Sequence, residues 1–552
     1  MFMSGRAQQP EAAASVTLSP STVRRIEAIF APWNSSESGG CAVSVRTASG
    51  PAWQRGFGMA NLEHGIPITP QTMFYLGSTS KLFTAMTVLR LVEQGQLRLE
   101  DSVRRWLPQL PAYLQPVTIR HLLEHTSGIR DYLTLWNLTA PEDDAALSDA
   151  AVSALLSRQK ALNFAPGSEF LYSNSGYFLL SQIVRPVAFR HLADLAEQTV
   201  FKPLGMQMAR YYPDRFALLP KRATGYARVT GASDWIAGPV RIQTATLDVT
   251  GDGGVFTNLE DFDKWDQALR SPPLAFAKVF SEMTTPVQLP SGHQAEYGKG
   301  LMLRRVNGWN TISHAGGLRG YRSEILHVPS EKVTVICLCN TAEADAGALA
   351  RRVMEQILPP RKPAQPTRLS LAELKRKVGV FQDKLTGDLL QVMIQNDTLL
   401  ADFNGYRMAL VAETPMRFQA ASGPLRFEVE FKQNGDHDLP YFVRNESESH
   451  RVAAFEPVQL LSAPPENLSS YEGRFFSHEA EAELEVRMRE GSLELFQRQR
   501  RLGRMQPTTK DRFHLGALNV EYERDASQSI VGLRLNTGRV RRLFFAKLQP
   551  DH

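Results

Sequence analysis

The stretch FYLGSTSKLFTAM, residues Phe74–Met86, changes from an extended segment into an apolar helix, and it decides both the fold and the chemistry of the chain. Within it, Ser78 stands three residues before Lys81, a spacing that places the two side chains on the same face of a helix. A serine at a helix start also lies beside unpaired backbone N–H groups, at the positive end of the helix dipole. Both effects favour the alkoxide, and a neutral lysine can accept the proton. The stretch therefore predicts an activated serine nucleophile.

Two further motifs follow in a fixed order. The Y-x-N motif Tyr172–Asn174 comes first. The H-x-G motif begins at His314, includes Gly316 and continues into Gly317, after an alternating stretch that predicts a strand. Together with the S-x-x-K motif they form an ordered triple.

Each of these motifs is weak evidence for a catalytic site by itself, because two of them occur a second time in the chain. Ser157–Lys160 is a second S-x-x-K, and His514–Gly516 is a second H-x-G. No G-x-S-x-G is present, which disfavours a Ser–His–acid hydrolase. The ordered triple is the informative signal.

The triple resembles that of the serine β-lactamase and penicillin-binding protein-like superfamily, in particular its class C-like branch. Three more blocks are similar to that branch: Gly56–Glu63, Val117–Tyr132 and Gly251–Thr257. The resemblance runs from about residue 40 to about residue 358. Two further domains follow, and they narrow the resemblance toward three-domain D-aminopeptidase-type serine hydrolases.

The resemblance implies a role for each residue of the triple. Ser78 would be the acylated nucleophile, Lys81 would help to deprotonate it, and Tyr172 would be the other member of the acid–base pair. Asn174 would orient the lysine and bind the substrate amide. The oxyanion hole would consist of the backbone N–H groups of Ser78 and Gly317.

The H-x-G motif departs from the lactamase pattern, which has a lysine where this chain has His314. A titrating group in place of a fixed cation disfavours β-lactam hydrolysis as the main activity. Gly316 belongs to the predicted substrate-binding edge. Arg322 has two open interpretations, a ligand for a substrate carboxylate or a member of a structural ion pair. Asp131 is expected to shape a loop near the site.

The order of predicted elements indicates an α+β fold. A β-lactamase/transpeptidase-like catalytic domain, an antiparallel sheet flanked by helices, would be followed by two small antiparallel β-barrel domains. The expected boundaries are a flexible N-terminus 1–20, the catalytic domain 21–358, a Pro-rich linker 359–368 and barrels 369–462 and 463–552. A repeat of roughly ninety residues supports two copies of one barrel. The sheet of the catalytic domain would join strands from both ends of that domain.

Composition excludes several classes of function. The 552 residues are 43% hydrophobic and 22% charged, with a net charge of +5 and no long basic run, so nucleic-acid binding has no support. No apolar run is long enough to span a membrane. The three cysteines are expected to be simply buried, and the twelve histidines form no metal motif, so neither metal nor cofactor is predicted.

Two properties stay open at this level. Residues 1–15 lack the apolar core of a signal peptide, which favours a cytoplasmic protein unless a leader was removed, in which case the protein is periplasmic or secreted. A homodimer is an open alternative to a monomer.

The sequence thus predicts a serine hydrolase that forms an acyl-enzyme with a small-molecule or peptide substrate. Peptides containing D-amino acids are the first choice, cleaved by a D-aminopeptidase or a D,D-peptidase. The alternatives are a family VIII-like carboxylesterase, then a β-lactamase, then a non-catalytic penicillin-binding sensor. The basic segment Arg498–Arg504 is a candidate loop for entry into the site, where it would repel an ammonium and suit a carboxylate.

Overall fold

The computed structural model describes residues 18–139, 146–228, 239–243, 247–361, 367–422, 427–445, 449–452, 455–461, 465 and 467–549. The chain divides into two compact units. The first comprises Met1–Gln94, Arg190–Pro286 and Glu296–Lys362, and the second comprises Gly95–Phe189, Val287–Ala295 and Pro363–His552. The predicted N-terminal segment 1–20, the linker 359–368 and the barrel boundary at 463 fall wholly or partly outside the described residues.

The described residues form twelve α-helices. In chain order they are α1 Pro20–Phe30, α2 Lys81–Glu93, α3 Val103–Trp106, α4 Ile119–Leu123, α5 Tyr132–Asn137, α6 Asp149–Arg158, α7 Asn174–Ala188, α8 Leu192–Ala196, α9 Leu259–Arg270, α10 Ala277–Met283, α11 Ala346–Ile357 and α12 Leu371–Lys375. Shorter helical turns are Ala31–Trp33, Gly77–Ser80, Ala112–Leu114, Glu197–Phe201, Leu274–Phe276 and Leu468–Tyr471.

The strands up to residue 339 are β1 Cys41–Thr47, β2 Gly50–Phe57, β3 Met59–Asn61, β4 Ile66–Pro67, β5 Phe74–Tyr75, β6 Leu147–Ser148, β7 Phe170–Leu171, β8 Arg210–Tyr211, β9 Tyr226–Arg228, β10 Val240–Ile242, β11 Leu247–Asp248, β12 Val255–Thr257, β13 Met302–Val306, β14 Trp309–Leu318, β15 Tyr321–Val328 and β16 Val333–Cys339.

The later strands are β17 Gly379–Asp383, β18 Leu389–Gln395, β19 Thr398–Phe403, β20 Tyr406–Ala412, β21 Arg417–Ser422, β22 Phe427–Asn434, β23 His437–Asn445, β24 Ser449–Val452, β25 Phe455–Pro457, β26 Gly473–Ser477, β27 Ala482–Arg489, β28 Ser492–Gln497, β29 Arg500–Arg504, β30 Gln506–Thr509, β31 Arg512–Leu515, β32 Leu518–Arg524, β33 Ile530–Thr537 and β34 Val540–Lys547.

The first unit is built on a six-stranded antiparallel sheet in the order β13-β14-β15-β16-β1-β2. The N-terminal strand β1 pairs with the late strand β16, with Val43 opposite Cys337, so the predicted sheet from both ends is confirmed. Strands β1 and β16 are buried along their whole length, because helices α1 and α11 cover one face of the sheet and α9 packs on the other. Strand β16 is apolar except for Thr334, whereas β1 also carries Ser44 and Arg46, whose buried side chains bond to Asp263 of α9.

The cysteines behave differently from the expectation of simple burial. Cys41 and Cys339 face each other across the β1–β16 pair and form a disulfide, with Cα atoms 4.0 Å apart. The two cysteines are 298 residues apart in the sequence, so the disulfide was not predictable from the chain alone. The register of the β1–β16 pair brings them together. Cys337 remains a buried thiol with its Sγ 3.5 Å from that of Cys339, and burial raises the pKa of that thiol.

The second unit combines a helical region with two antiparallel sheets. Helices α3, α4 and α5 pack against the central helix α7. A ten-stranded sheet contains β17–β25 together with β7 of the helical region, and a nine-stranded sheet contains β26–β34. Both are nearly closed and barrel-like, which confirms the predicted α+β fold class with two antiparallel barrels.

The predicted repeat has a structural counterpart in the two barrels. The repeated motif with Phe381 begins the first barrel on β17, and its copy with Phe475 begins the second on β26; both phenylalanines are buried in their barrels. Among the described residues, no helix combines the length and the apolar character required to cross a membrane.

Candidate active site

The nucleophile predicted from the sequence lies at a sharp turn in the first unit. Strand β5 pairs with β12, and the chain then passes through Gly77 at φ +54° into the helical turn Gly77–Ser80 and on into α2. Helix α2 begins at Lys81, not at the serine, so Ser78 occupies the tight turn that leads into the helix. The Ser80 hydroxyl accepts a hydrogen bond from the N–H of Val255 (3.1 Å), which fixes this turn to β12.

Lys81 points back at Ser78. Its Nζ lies 3.3 Å from Ser78 Oγ and donates to the carbonyl oxygen of Asp252 at 2.7 Å. The lysine side chain is 0% exposed, whereas Ser78 is half-buried. This separation is within reach of proton transfer between the two groups. The Asp252 carbonyl was not among the predicted site residues, although it lies in the Gly251–Thr257 block quoted for the resemblance.

The glycines after His314 pack backbone to backbone against the serine turn. A Cβ atom on Gly316 would lie 1.9 Å from the carbonyl oxygen of Leu76, and one on Gly77 would lie 2.6 Å from the N of Gly317. Contacts this short exclude any side chain. Glycine at positions 316 and 77 is therefore a requirement of the close approach that brings the edge of β14 beside the turn that carries Ser78.

Two hydroxyl groups tie the strands to this turn. Ser323 on β15 donates to the carbonyl oxygen of Leu76 (2.6 Å), and its hydroxyl lies 2.8 Å from that of Thr79. Thr79 is also placed to donate to the carbonyl oxygen of His314 at 3.2 Å. Buried bonds of this kind hold the backbone groups around Ser78 in a fixed arrangement.

His314 is fully buried, and this changes the interpretation of the motif. Burial first, and the positive charge of Lys81 second, lower the pKa of His314 to about 3. Its Nδ1 lies 2.7 Å from the carbonyl oxygen of Ala315, and its Nε2 lies 3.4 Å from the hydroxyl of Tyr297. The sequence predicts a titrating group here. In the structure the imidazole is instead neutral near pH 7, because the buried ring has no water to stabilise a positive charge.

Arg322 lies beside the glycines, directly opposite Gly317 in the β14–β15 pair. Its guanidinium donates to the carbonyl oxygens of Arg319 (2.7 Å) and Tyr321 (2.8 Å), and partial burial lowers its pKa. In these contacts the arginine closes the turn between the two strands. Its predicted role as a carboxylate ligand stays a prediction.

Tyr172 belongs to the second unit, immediately before helix α7. Its side chain is 3% exposed, and its ring centroid lies 4.2 Å from that of His125. The His125 Nδ1 accepts a hydrogen bond from the N–H of Ser173 at 3.2 Å. Histidine and backbone together fix the segment that leads from the tyrosine into α7.

Asn174 is oriented by Asp131, which the sequence assigned only to the shape of a loop. One carboxylate oxygen of Asp131 accepts from the backbone N–H of Asn174 (2.7 Å) and from its Nδ2 (2.9 Å). The other oxygen accepts from Thr134 N (2.9 Å) and caps helix α5. The aspartate is 1% exposed. It therefore fixes which way the Asn174 amide points, and it is a positioning residue.

The basic segment Arg498–Arg504 consists of the turn after β28 and the strand β29, which together form one half of a hairpin. Arg501 in this hairpin pairs with Glu494 at 2.7 Å, and Gln497 at its base donates to the carbonyl oxygen of Asn137 at 2.9 Å. A different hairpin of the second barrel, β33–β34, contacts Tyr172 through Arg539. The sequence carries no signal for this contact, because the two residues lie far apart in the chain and no motif includes the arginine.

Known protein families and proteins of similar sequence point to the same class of protein as these site residues. The sequence profile of the Beta-lactamase family matches residues 26–358. Penicillin-binding protein 4* of Bacillus subtilis (strain 168) is 31% identical over 406 residues, which cover 70% of this chain and 88% of that relative. A D-aminopeptidase of Gluconobacter oxydans (strain 621H) is 30% identical over 349 residues, with 62% of this chain and 64% of the relative covered.

A solved structure extends the likeness beyond the catalytic region. The octameric penicillin-binding protein homologue from Pyrococcus abyssi superposes with a TM-score of 0.52 at 22% identity, covering 79% of this chain and 98% of its own. At that identity the match shows a shared fold. The family profile covers more than half of the chain. The six-stranded sheet and the strand edge packed against the Ser78 turn both lie within the matched residues 26–358. The chain belongs to the Beta-lactamase family.

Proposed function

We propose that this protein is a serine hydrolase that acts through an acyl-enzyme on small amides or peptides, with peptides containing D-amino acids as its substrates. The observation that carries the proposal is the buried Lys81, whose Nζ lies 3.3 Å from Ser78 Oγ. A lysine removed from water beside a serine hydroxyl is the arrangement that an S-x-x-K nucleophile requires.

The reaction begins with attack of Ser78 Oγ on the substrate carbonyl carbon, while the hydroxyl proton moves to Lys81 or Tyr172. The carbonyl oxygen becomes an oxyanion, which the N–H groups of Ser78 and Gly317 stabilise. The scissile C–N bond then breaks, and the amine leaves with a proton returned by the same acid–base pair. Water attacks the acyl-enzyme, loses one proton to the pair and releases the carboxylic acid from a restored Ser78. The roles of Tyr172 and Asn174 rest on the ordered sequence motifs and the family resemblance.

The preference for D-amino-acid peptides is supported by two observations. D-Aminopeptidases of several bacteria match this chain at about 30% identity or slightly less. The neutral, buried His314 stands where lactamases carry a lysine, so a fixed cation for a β-lactam carboxylate is lacking at that position. A carboxylesterase is the second candidate, because an alcohol needs less protonation than an amine to leave from the same site.

The test is steady-state hydrolysis of a matched panel. It contains D-Ala and L-Ala p-nitroanilides, a short-chain p-nitrophenyl ester, a D-Ala-D-Ala peptide and nitrocefin. Ser78→Ala is expected to lower turnover by roughly 10⁴-fold or more without a change in melting temperature. The matched control is Ser157→Ala, which alters the exposed serine of the second S-x-x-K and should leave turnover unchanged.

The outcomes separate the candidates. Selective cleavage of the D-anilide supports the peptidase, and turnover of the ester alone supports the esterase. A stable adduct with a fluorescent penicillin and no turnover supports a penicillin-binding sensor. Residual turnover in Ser78→Ala equal to that of the unaltered protein contradicts the mechanism.

A further inference from the structure

The turn between β33 and β34 is anchored on the helical region of the second unit by its backbone. Gly538 and Arg539 form the two-residue turn, in which the glycine adopts a positive φ of +48°. The carbonyl oxygen of Arg539 accepts hydrogen bonds from Asn163 Nδ2 at 2.9 Å and from the N–H of Asp131 at 3.3 Å. The position of residue 539 is thus set by bonds that do not involve its side chain.

The strand after the turn strengthens this anchor. The N–H of Arg541 donates to Asn163 Oδ1 at 2.8 Å, and its guanidinium pairs with Glu169 at 2.8 Å. Arg541 is 4% exposed, so the ion pair is largely shielded from water. Asn163 therefore holds the strand through both of its amide atoms.

A second buried ion pair also holds the hairpin. The Arg130 guanidinium donates to the carbonyl oxygen of Arg541 (3.2 Å) and pairs with Glu479 (2.7 Å). Arg130 is 3% exposed. The removal of either partner from such a pair leaves a buried charge, so the contact resists displacement of the barrel from the helical region.

The Arg539 side chain extends from this fixed turn onto the ring of Tyr172. Its guanidinium carbon lies 4.5 Å from the ring centroid, and the side chain is only partly buried. The backbone carbonyl of the same residue accepts the hydrogen bond from the N–H of Asp131, and the carboxylate of Asp131 orients Asn174. The positive charge of this partly buried arginine therefore lies beside Tyr172, to which the family resemblance assigns a role in the reaction.

We propose that Arg539 is the specificity-determining residue of this hydrolase and that it binds a carboxylate carried by the substrate. This inference rests on the proposed function, because it requires Tyr172 to act on the substrate. A guanidinium presents paired N–H donors that match a carboxylate, and its fixed charge disfavours a free ammonium at the same place. The substrate is then an anionic peptide rather than one with a free amino terminus beside Tyr172.

The carboxylate has two sources, the acyl part of the substrate and its leaving group. N-succinyl-D-alanine anilide and N-acetyl-D-alanine anilide differ in charge on the acyl side. N-acetyl-D-Ala-D-Ala and its C-terminal amide differ in charge on the leaving-group side. The pair that shows a preference for the anion identifies the source.

The first experiment measures binding and needs no turnover. The dissociation constants of both pairs are determined by calorimetry with the Ser78→Ala protein. In one pair the acid is expected to bind roughly tenfold or more tightly than its neutral partner, the effect of one charge-assisted contact. In Ser78→Ala/Arg539→Gln this preference should disappear, while the neutral ligand keeps its affinity.

The matched control is Arg487→Gln in the same barrel. Arg487 also places its guanidinium over an aromatic ring, that of Phe496, at 4.7 Å, and its removal makes the same change in net charge. It should leave the preference intact. Arg539→Lys should keep part of the preference, since the charge remains and the paired donors do not. Because the backbone holds residue 539, both variants are expected to melt at the temperature of the unaltered protein.

Turnover of the same pairs distinguishes this inference from the proposed function. A loss confined to KM for the anionic substrate in Arg539→Gln is the expected result. A preference that survives in Arg539→Gln, or acids that bind no better than their neutral partners, or no binding of any of them, overturns the role of Arg539. If neutral substrates are still hydrolysed through Ser78 in that case, the proposed function stands alone. If Ser78→Ala does not alter turnover, the proposed function fails, and calorimetry still decides the carboxylate site.

Discussion

Replacement of Gly316 by alanine tests the close packing that brings the edge of β14 to the nucleophile. The new Cβ would lie 1.9 Å from the Leu76 carbonyl oxygen, 2.5 Å from Ser323 Oγ and 2.9 Å from Thr79 N. Two of these atoms belong to backbone and cannot rotate away. Nonbonded carbon and oxygen atoms require more than 3 Å, so the strand and the turn must separate by about 1 Å or more.

Two magnitudes follow from that displacement. Overpacking of a buried contact typically costs about 1–3 kcal/mol of the free energy of unfolding. A misplacement of about 1 Å of the Gly317 N–H relative to Ser78 should lower kcat roughly 10²-fold, comparable to the loss of one oxyanion donor. KM should change less, because the donor acts mainly on the transition state.

The assay combines urea denaturation with steady-state hydrolysis of the substrate selected by the panel. Gly317→Ala is the matched control. Its Cβ would meet only the flexible Arg322 side chain, at 3.3 Å from Cδ, so activity within a few-fold of the unaltered protein is expected. If Gly316→Ala keeps both its kcat and its unfolding midpoint, the reasoning about the H-x-G-G edge is wrong.

Two further variants test single buried carboxylates. Asp131→Ala removes the oxygen that accepts from Asn174, and it should cost about 1–3 kcal/mol of unfolding free energy and at least about tenfold in kcat. Thr134→Ala, which leaves the Asn174 bonds intact, should cost less, and equal losses would contradict the positioning role. Burial raises the pKa of Glu324 from its ordinary value of 4.5 to about 8. The folded state therefore binds a proton more tightly than the unfolded state, and stability should fall as the pH rises from 4.5 toward 8, by at most about 1.4 kcal/mol per pH unit. In Glu324→Gln this fall should be smaller in urea titrations at pH 5, 7 and 9, and parallel curves for the two proteins would refute it.

The local parts of the candidate site were predictable because they depend on spacing along the chain. The spacing of three positions from Ser78 to Lys81 places both groups on one side of a helical turn, whatever the rest of the protein does. The nearly continuous apolar character of β16 similarly indicated a buried central strand. The alternating patterns and the repeat after residue 368 indicated two barrels, since each copy encodes its own strands and turns.

Other features were not predictable, because they depend on which distant segments meet. The disulfide between Cys41 and Cys339 requires the register of two strands at opposite ends of the catalytic region. The loss of charge from His314 requires complete removal of water around its ring, which no neighbouring residue in the sequence announces. The contact between Arg539 and Tyr172 likewise joins segments that are far apart in the chain, and no motif includes the arginine.

The sequence by itself determined the family, through the resemblance carried by its ordered motifs, and the succession of an α+β region and two barrels, because helix and strand patterns follow from short-range spacing. Only the tertiary structure decided the protonation state of His314, the orientation of Asn174 by Asp131 and the cation beside Tyr172. Each of these arises from burial or from contacts between distant segments. Electrostatic energies depend on distance and on access to water, and a linear sequence contains neither quantity.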